Sequence, residues 1–196
     1  IIFSPNSFWN INIKSKKLVD EFIQDMEYCY GLICPNVKKE FGNNLPYFRV
    51  KYSSKLVFED LHKYVTTYST ANKKCNLKET FDISKFEYSR IFLQTFFTNE
   101  GSVSNSGKIS GDSKSKIIIE LISKILDRFN IIHKICIYSK EKYGTFYKIY
   151  LKISKENYIK FWLLNLFYNA VVSKGYNMGK LKTKVLEQQM IKRKFF

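Results

Sequence analysis

The sequence predicts an α+β protein in which one strand-strand-helix-strand-strand-helix unit occurs twice, forming a pseudo-twofold sheet platform. Three observations predict it. Sliding the 196-residue chain against itself by 100 residues (114 − 14) lays Lys14-Ser15-Lys16 on Lys114-Ser115-Lys116 and Ser54-Lys55 on Ser154-Lys155. Between those anchors each copy runs from a helical stripe through two short strand-like runs to a second helix. Finally, the stretch Arg90 to Ser104 is an apolar run, broken only by Gln94 and Thr95, that ends in Glu100-Gly101 and passes at once into alternating small and apolar residues. That is a helix stopping and a strand starting, with Gly101 expected to take the left-handed conformation that ends helices.

In the first copy the helical stripe begins at Leu18, Val19 and Phe22 and ends near Tyr30-Gly31-Leu32. Strands follow at Asn36 to Glu40 and Tyr47 to Tyr52, joined through Gly42-Asn43-Asn44, and a helix from Lys55 to Tyr64 closes the copy. A polar segment rich in Thr, Lys and Asn, residues 65–89, connects it to the second copy, residues 90–173. There the stripe of Ile118, Ile119 and Ile122 ends near Phe129-Asn130-Ile131, strands run from Lys134 to Ser139 and Thr145 to Ile153, and the closing helix spans Lys155 to Val172. Residues 174–196 form a basic tail, expected to be either a solvated helix face or a segment ordered by phosphate contacts.

The balance of 33 basic against 17 acidic residues leaves a net charge of +16, which repels itself unless a polyanion neutralises it. Nucleic acid is therefore the expected partner. A membrane is not: the basic residues are spread along the chain, and the apolar run Phe161 to Val172 is too short to span a bilayer and contains Asn165 and Asn169. Hydrophobic content of 45% argues for a folded globule rather than a basic tail alone. Ala71 and Ala170 are the only alanines, while Ile, Lys, Asn, Phe and Tyr abound, a usage expected of an AT-rich genome such as that of a mitochondrion or another organelle.

Other chemistries have little to rest on. Cys29, Cys34, Cys75 and Cys136 lack Cys-x-x-Cys spacing and have only His62 and His133 for company, so a zinc site is not expected. Two distant histidines without a nucleophile elbow support no hydrolase triad. The glycines make no phosphate-cradling loop.

The nonapeptide Leu93-Gln94-Thr95-Phe96-Phe97-Thr98-Asn99-Glu100-Gly101, with Ser-Val-Ser after it, resembles the second signature helix of the LAGLIDADG homing endonucleases. With the repeat, the resemblance extends over residues 3 to 172 and is nearest to the compact single-chain members. It implies an α+β fold of two pseudo-equivalent halves that saddle a duplex. It also implies a catalytic role for Glu100, since family enzymes cut DNA with one carboxylate from each of two adjoining signature helices around Mg²⁺. This sequence departs from that pattern. Thr95 replaces the small glycine through which the two helices pack, and Thr98 replaces an acid. Shifted back by 100 residues, Glu100 falls just before Ile1, so the first signature helix is expected to have been lost, or to lie upstream or on another chain. An acid at a helix C-terminus also calls for a nearby cation.

Two functions follow. The first is a non-catalytic, RNA-binding descendant of a homing endonuclease, a component of an organellar ribonucleoprotein such as a mitochondrial ribosome or an intron complex, with no cofactor. The alternative is an active sequence-specific DNA endonuclease, or half of one, using Mg²⁺ and Glu100. In both, the strands present cations and donors to nucleic acid from one face. Candidates are Lys14, Lys38, Lys39, Arg49 and Lys51 in the first copy, and Ser102, Ser104, Lys108, Lys114, Lys134, Lys140, Lys142 and Lys148 in the second. Lys192, Arg193 and Lys194 are candidates in the tail, and Tyr47, Tyr138 and Tyr147 for stacking on unpaired bases. A further protein covering the free face of the 90–101 helix is a second candidate partner.

Overall fold

The computed structural model describes residues 2–3, 8–13, 16–33, 36–42, 45–64, 78, 82–141, 144–173 and 175–196, with the backbone alone for 2–3, 8–13, 42, 45–46 and 53. These divide into two compact units, one holding the described residues up to 64 with 78 and the other those from 82 onward.

The first unit contains β1 (Ile2–Phe3), β2 (Phe8–Ile13), α1 (Lys16–Tyr30), β3 (Asn36–Gly42), β4 (Leu45–Ser53) and α2 (Lys55–Leu61). Its sheet is antiparallel throughout, in the order β1-β2-β4-β3. Val19 and Met26 of α1, Val50 and Tyr52 of β4 and Val57 of α2 are buried together, with Phe22, Ile23, Phe48 and Leu61 packed against them. Gly31, at φ +65°, ends α1 in the left-handed region. The Tyr30 hydroxyl then donates to Asp60 at 2.7 Å, tying α1 to α2. Asp60 is held below the usual carboxylate range by that bond and by Lys63, so it is a structural acid rather than a free surface charge.

The second unit contains α3 (Phe86–Asn99), β5 (Gly101–Val103), β6 (Ile109–Ser113), α4 (Lys116–Arg128), β7 (His133–Lys140), β8 (Gly144–Leu151), α5 (Lys155–Leu163) and α6 (Lys182–Lys192). Its sheet has the order β5-β6-β8-β7, the same topology as the first. The repeat is visible in the caps as well. Ser54 and Ser154 (154 − 54 = 100) each accept a hydrogen bond from the backbone N–H three residues on, at 3.3 Å, and so start α2 and α5 alike. Ile119, Ile122, Ile125 and Leu126 of α4 are fully buried against Ile149 and Leu151 of β8, Ile109 of β6, and Leu93 and Phe97 of α3.

Several boundaries differ from expectation. Helix α3 starts at Phe86 rather than Arg90, with the buried Ser89 hydroxyl donating to the Ile83 carbonyl at 2.7 Å. Helix α5 stops at Leu163 because Asn165 (φ +50°) and Asn169 (φ +48°) turn left-handed. Within the basic tail α6 is more than a solvated face: it buries Val185, Leu186 and Met190 in the core of the second unit. Gly101 does not take a left-handed φ; it is required because a Cβ there would lie 2.2 Å from the Phe97 carbonyl oxygen. Gly111, its partner across β5 and β6, leaves room for the Phe96 ring, which a Cβ would meet at 2.5 Å. Among the described residues no helix is long and apolar enough to cross a membrane.

Asn157 joins the β7 and β8 ends to α5. Its carboxamide accepts from the Ile132 N–H at 3.0 Å and donates to the Ile132 and Lys152 carbonyls at 2.7 and 2.8 Å, fully out of solvent. Replacing it strands buried backbone groups. Asn157→Ala should therefore destabilise the second unit by about 3 kcal/mol, read as a lower denaturant midpoint in unfolding followed by circular dichroism.

Candidate nucleic-acid interface

Side chains alternate across a strand, so the core register fixes which residues face away from the helices. In the second unit Val103, Ile109, Ile149 and Leu151 point to the core. The open face is therefore read in rows from the pairings Ser110 with Tyr150 and Lys134 with Tyr150, Asp112 with Lys148 and Cys136 with Lys148, and Tyr138 with Phe146. Lys108 and Lys114, flanking β6, join the same face.

This face is both aromatic and cationic. Tyr138 and Phe146 stack with centroids 5.4 Å apart and planes 13° from parallel. The Lys114 and Lys140 ammonium groups lie 5.4 and 5.3 Å from the Phe146 centroid. Those of Lys108 and Lys148 lie 4.8 and 5.2 Å from that of Tyr150. Each such contact is worth about 0.5–1 kcal/mol at an exposed site. Asp112 is the acid among them and accepts the Tyr138 hydroxyl at 3.1 Å. Burial, and then the Asp112 charge and hydrogen bond, push the Tyr138 phenol from the usual 10 up to about 12.

The first unit carries a different chemistry on the equivalent face. Lys38 pairs with Arg49, Asn36 with Lys51 and Glu40 with Tyr47, and the register sets Asn10 and Asn12 opposite Lys51 and Arg49. Asn36, Lys38, Glu40, Arg49 and Lys51 line a cleft of about 270 Å³. Glu40 organises it, accepting from Arg49 at 2.9 Å and from the Tyr47 hydroxyl at 2.5 Å.

Within each unit part of the expected set shares the open face, Lys38, Arg49 and Lys51 in the first and Lys108, Lys114, Lys134, Lys140 and Lys148 in the second. Lys39 lies on the opposite side from Lys38, with Val37 and Phe41, because adjacent strand residues cannot share a face; its ammonium sits 5.7 Å from the Phe41 centroid. Tyr147 likewise faces the core side and packs against it. The Ser104 hydroxyl builds the β5–β6 turn by accepting from the Lys108 N–H at 2.9 Å, and that of Ser102 pairs with Ser110 at 3.0 Å. Arg193 donates to the Ser106 carbonyl at 2.6 Å, holding that same turn, while Lys192 and Lys194 are exposed at the chain end. Lys14 and Lys142 lie outside the described residues. Phe146 and Tyr150 were not among the expected residues, although their period-two spacing with Lys148 would have found them.

Glu100 caps α3 and is exposed. The cation expected at this helix end is Lys182, from the basic C-terminal segment. Its buried ammonium donates to the Thr98 and Phe97 carbonyls at 2.8 and 3.4 Å and lies 5.5 Å from the Phe167 centroid. Thr98, where the family motif has an acid, is buried and donates to the Tyr168 carbonyl at 3.3 Å. Among the described residues no group of three or more His, Cys, Asp or Glu side chains could hold a metal. Mg²⁺ takes several oxygen ligands in octahedral array, so Glu100 by itself would supply only part of a magnesium site.

The Tyr138–Asp112 pair gives a direct test of this face. A phenol whose folded pKa is raised contributes stability that is present below its unfolded value near 10 and lost as pH rises through about 12. Asp112→Asn removes the charge but not the burial, so the Tyr138 titration should move down while staying above 10. Alkaline absorbance titration against a Tyr138→Phe control reads the shift; an unchanged midpoint would show that the two groups do not interact.

A family model described as a LAGLIDADG-like domain matches residues 87–162. Among solved structures, the chain is similar to the homing endonuclease I-DmoI in complex with DNA and Mn, at 17% identity and a TM-score of 0.56, over 81% of this chain and 80% of that one. It is also similar to I-DmoI in complex with DNA and Ca, at 15% identity and a TM-score of 0.54, over 92% and 83% of the two chains. A variant of I-DmoI with its target DNA in the presence of Mg gives 16% identity and a TM-score of 0.53, over 81% and 80%. No curated protein matches the sequence. With its signature-like helix ending at Glu100-Gly101, the segment 87–162 matches a LAGLIDADG-like domain, and the chain shares the α+β fold of the homing endonuclease I-DmoI over more than four-fifths of its length.

Proposed function

We propose that this protein binds nucleic acid through the open faces of its sheets, that RNA is its target, and that it does not itself cleave. The observation that carries this reading is the second unit's open face, where Lys108, Lys114, Lys140 and Lys148 are arrayed over Tyr138, Phe146 and Tyr150. Cations there suit phosphates, and aromatic rings suit the unpaired bases that RNA presents in loops and bulges. The net charge of +16 supports a polyanionic partner, and the solved relatives are complexes with DNA. The AT-rich composition supports a place in an organellar ribonucleoprotein, such as a mitochondrial ribosome or an intron complex. Tyr88, Ile91 and Thr95, exposed along one side of α3, support a further protein partner that covers them.

The non-catalytic part rests on α3. Thr98 is committed to a buried backbone contact, and the helix end carries a lysine ammonium on its carbonyls, so this chain's described residues offer Glu100 alone where the family reaction uses two acids. The endonuclease reading keeps one observation in its favour, the exposed Glu100 at the helix tip, and with it a role for Mg²⁺.

Binding should be steeply salt dependent. A footprint of about six phosphates predicts roughly a thousandfold fall in affinity between about 50 and 200 mM salt. Changing Lys108, Lys114, Lys140 and Lys148 together to Gln should weaken RNA binding of all sequences and lower the salt slope by about one per lost phosphate contact. A flat titration would reject the electrostatic footprint. In a nicking assay on a library of duplexes with Mg²⁺ or Mn²⁺, the chain should leave every duplex intact. Metal-dependent cutting that disappears in Glu100→Gln would establish the endonuclease instead.

A further inference from the structure

The two sheets share strand order and pairing, yet equivalent open-face positions hold different chemistry. By register Tyr47, Arg49 and Lys51 correspond to Phe146, Lys148 and Tyr150, and Glu40 corresponds to Tyr138. The first unit thus offers hydrogen-bonding groups in an Arg–Glu–Tyr cluster, while the second offers rings. The same scaffold could have carried either set, so the difference is not imposed by the fold.

The rings of the second unit are also held ready. Tyr138 is fixed at both ends, by its hydroxyl bond to Asp112 and by its stack on Phe146. Cations flank the rings on flexible stems, Lys114 and Lys140 at Phe146, and Lys108 and Lys148 at Tyr150. Asp112 stands between them, opposite Lys148 across the β6–β8 pair, and disfavours a phosphate at the centre of the sheet. Phosphates are therefore directed to the lysine stems, and bases to the middle.

We infer that Phe146 and Tyr150 form a stacking platform for unpaired bases of single-stranded RNA, in which a base displaces an ammonium group from the ring and that ammonium moves to the neighbouring phosphate. A base stacked on an aromatic ring outweighs an exposed ammonium–ring contact, and the displaced cation gains a phosphate, so the exchange is favourable at both ends. A duplex, whose bases are stacked on one another, cannot use the platform. This inference rests on the nucleic-acid reading above and adds which form of nucleic acid the second unit takes and how.

The test uses the full chain with three probes of equal length: a single-stranded RNA carrying 2-aminopurine, its DNA counterpart, and the RNA duplex. Binding of the single strand should quench 2-aminopurine. The double variant Phe146→Leu with Tyr150→Leu should abolish the quenching and lower single-strand affinity about tenfold or more per ring lost, with the salt slope and duplex affinity unchanged. Phe146→Trp with Tyr150→Trp should keep both quenching and affinity, and thermal melts of all variants separate loss of stacking from loss of fold. Equal losses on single-stranded RNA and DNA would locate the specificity in the bases, whereas a larger loss on RNA would add the 2′-hydroxyl; both support the platform. A leucine variant that binds single strands like the parent, or loses duplex and single strand alike, overturns the inference while leaving nucleic-acid binding in place. A parent chain that binds none of the probes overturns both.

Discussion

The end of α3 is the constraint on which the second unit depends. A strand follows the helix with a single residue, Glu100, between them, so the last helical carbonyls have no room to be satisfied by a winding loop. Two consequences are built into the sequence. Gly101 must lack a side chain, because a Cβ would strike the Phe97 carbonyl, and Gly111 across the strand pair must lack one so that Phe96 can lie on the sheet. The Phe97 and Thr98 carbonyls are then met by the Lys182 ammonium, which arrives from the start of α6. A buried ammonium is costly unless its hydrogens are used, and here helix-end carbonyls and the Phe167 face receive it. The C-terminal segment is thus an integral part of the unit. Docking Lys182 brings Val185, Leu186 and Met190 into the same core, and Tyr158 and Arg193 pin the β5–β6 turn from the other side.

What the sequence could reveal depended on whether the signal was local. Ser54, Ser115 and Ser154 of the anchors cap helix starts, because a serine N-cap is a local decision, and the strands follow from alternation within five to nine residues. Helix ends were less legible. Asn165 and Asn169 lie in an apolar run that reads as continuous helix, and only tertiary packing decides that asparagine will turn left-handed there. The site shows the same division. Parity alone places Lys38 with Arg49, and parity alone removes Lys39, a distinction visible in the sequence once strand register is known. Lys182 was beyond reach, because a lysine in a basic run gives no sign that it will be buried against a helix 84 residues upstream.

The duplication separates what folding requires from what the open faces carry. Helix-side positions stay apolar in both units: Val50 and Tyr52 of β4 do the work of Ile149 and Leu151 of β8. The open faces have diverged, but each retains one acid that accepts from a tyrosine, Glu40 from Tyr47 and Asp112 from Tyr138. In a chain this basic, an acid on each cationic face reduces repulsion among the neighbouring cations and orients an otherwise mobile ring. The sequence positions differ, Glu40 on β3 and Asp112 on β6, so the shared arrangement is one of chemistry and not of simple inheritance from the repeat.

A net charge of +16 has to be accommodated before any partner arrives. Ion pairs on helix faces, such as Lys116 with Glu120 and Lys184 with Glu187, are solvent-screened, contribute little and leave most of the surplus untouched. On the second unit's open face the surplus is instead spread over rings, whose negative faces attract ammonium groups without neutralising them. Such contacts lower the energy of the free protein only slightly and are easily given up. The lysines therefore remain available to a stronger anion. An all-lysine face would repel itself, and an all-aromatic face would aggregate. Interleaving the two is a physical solution to both problems.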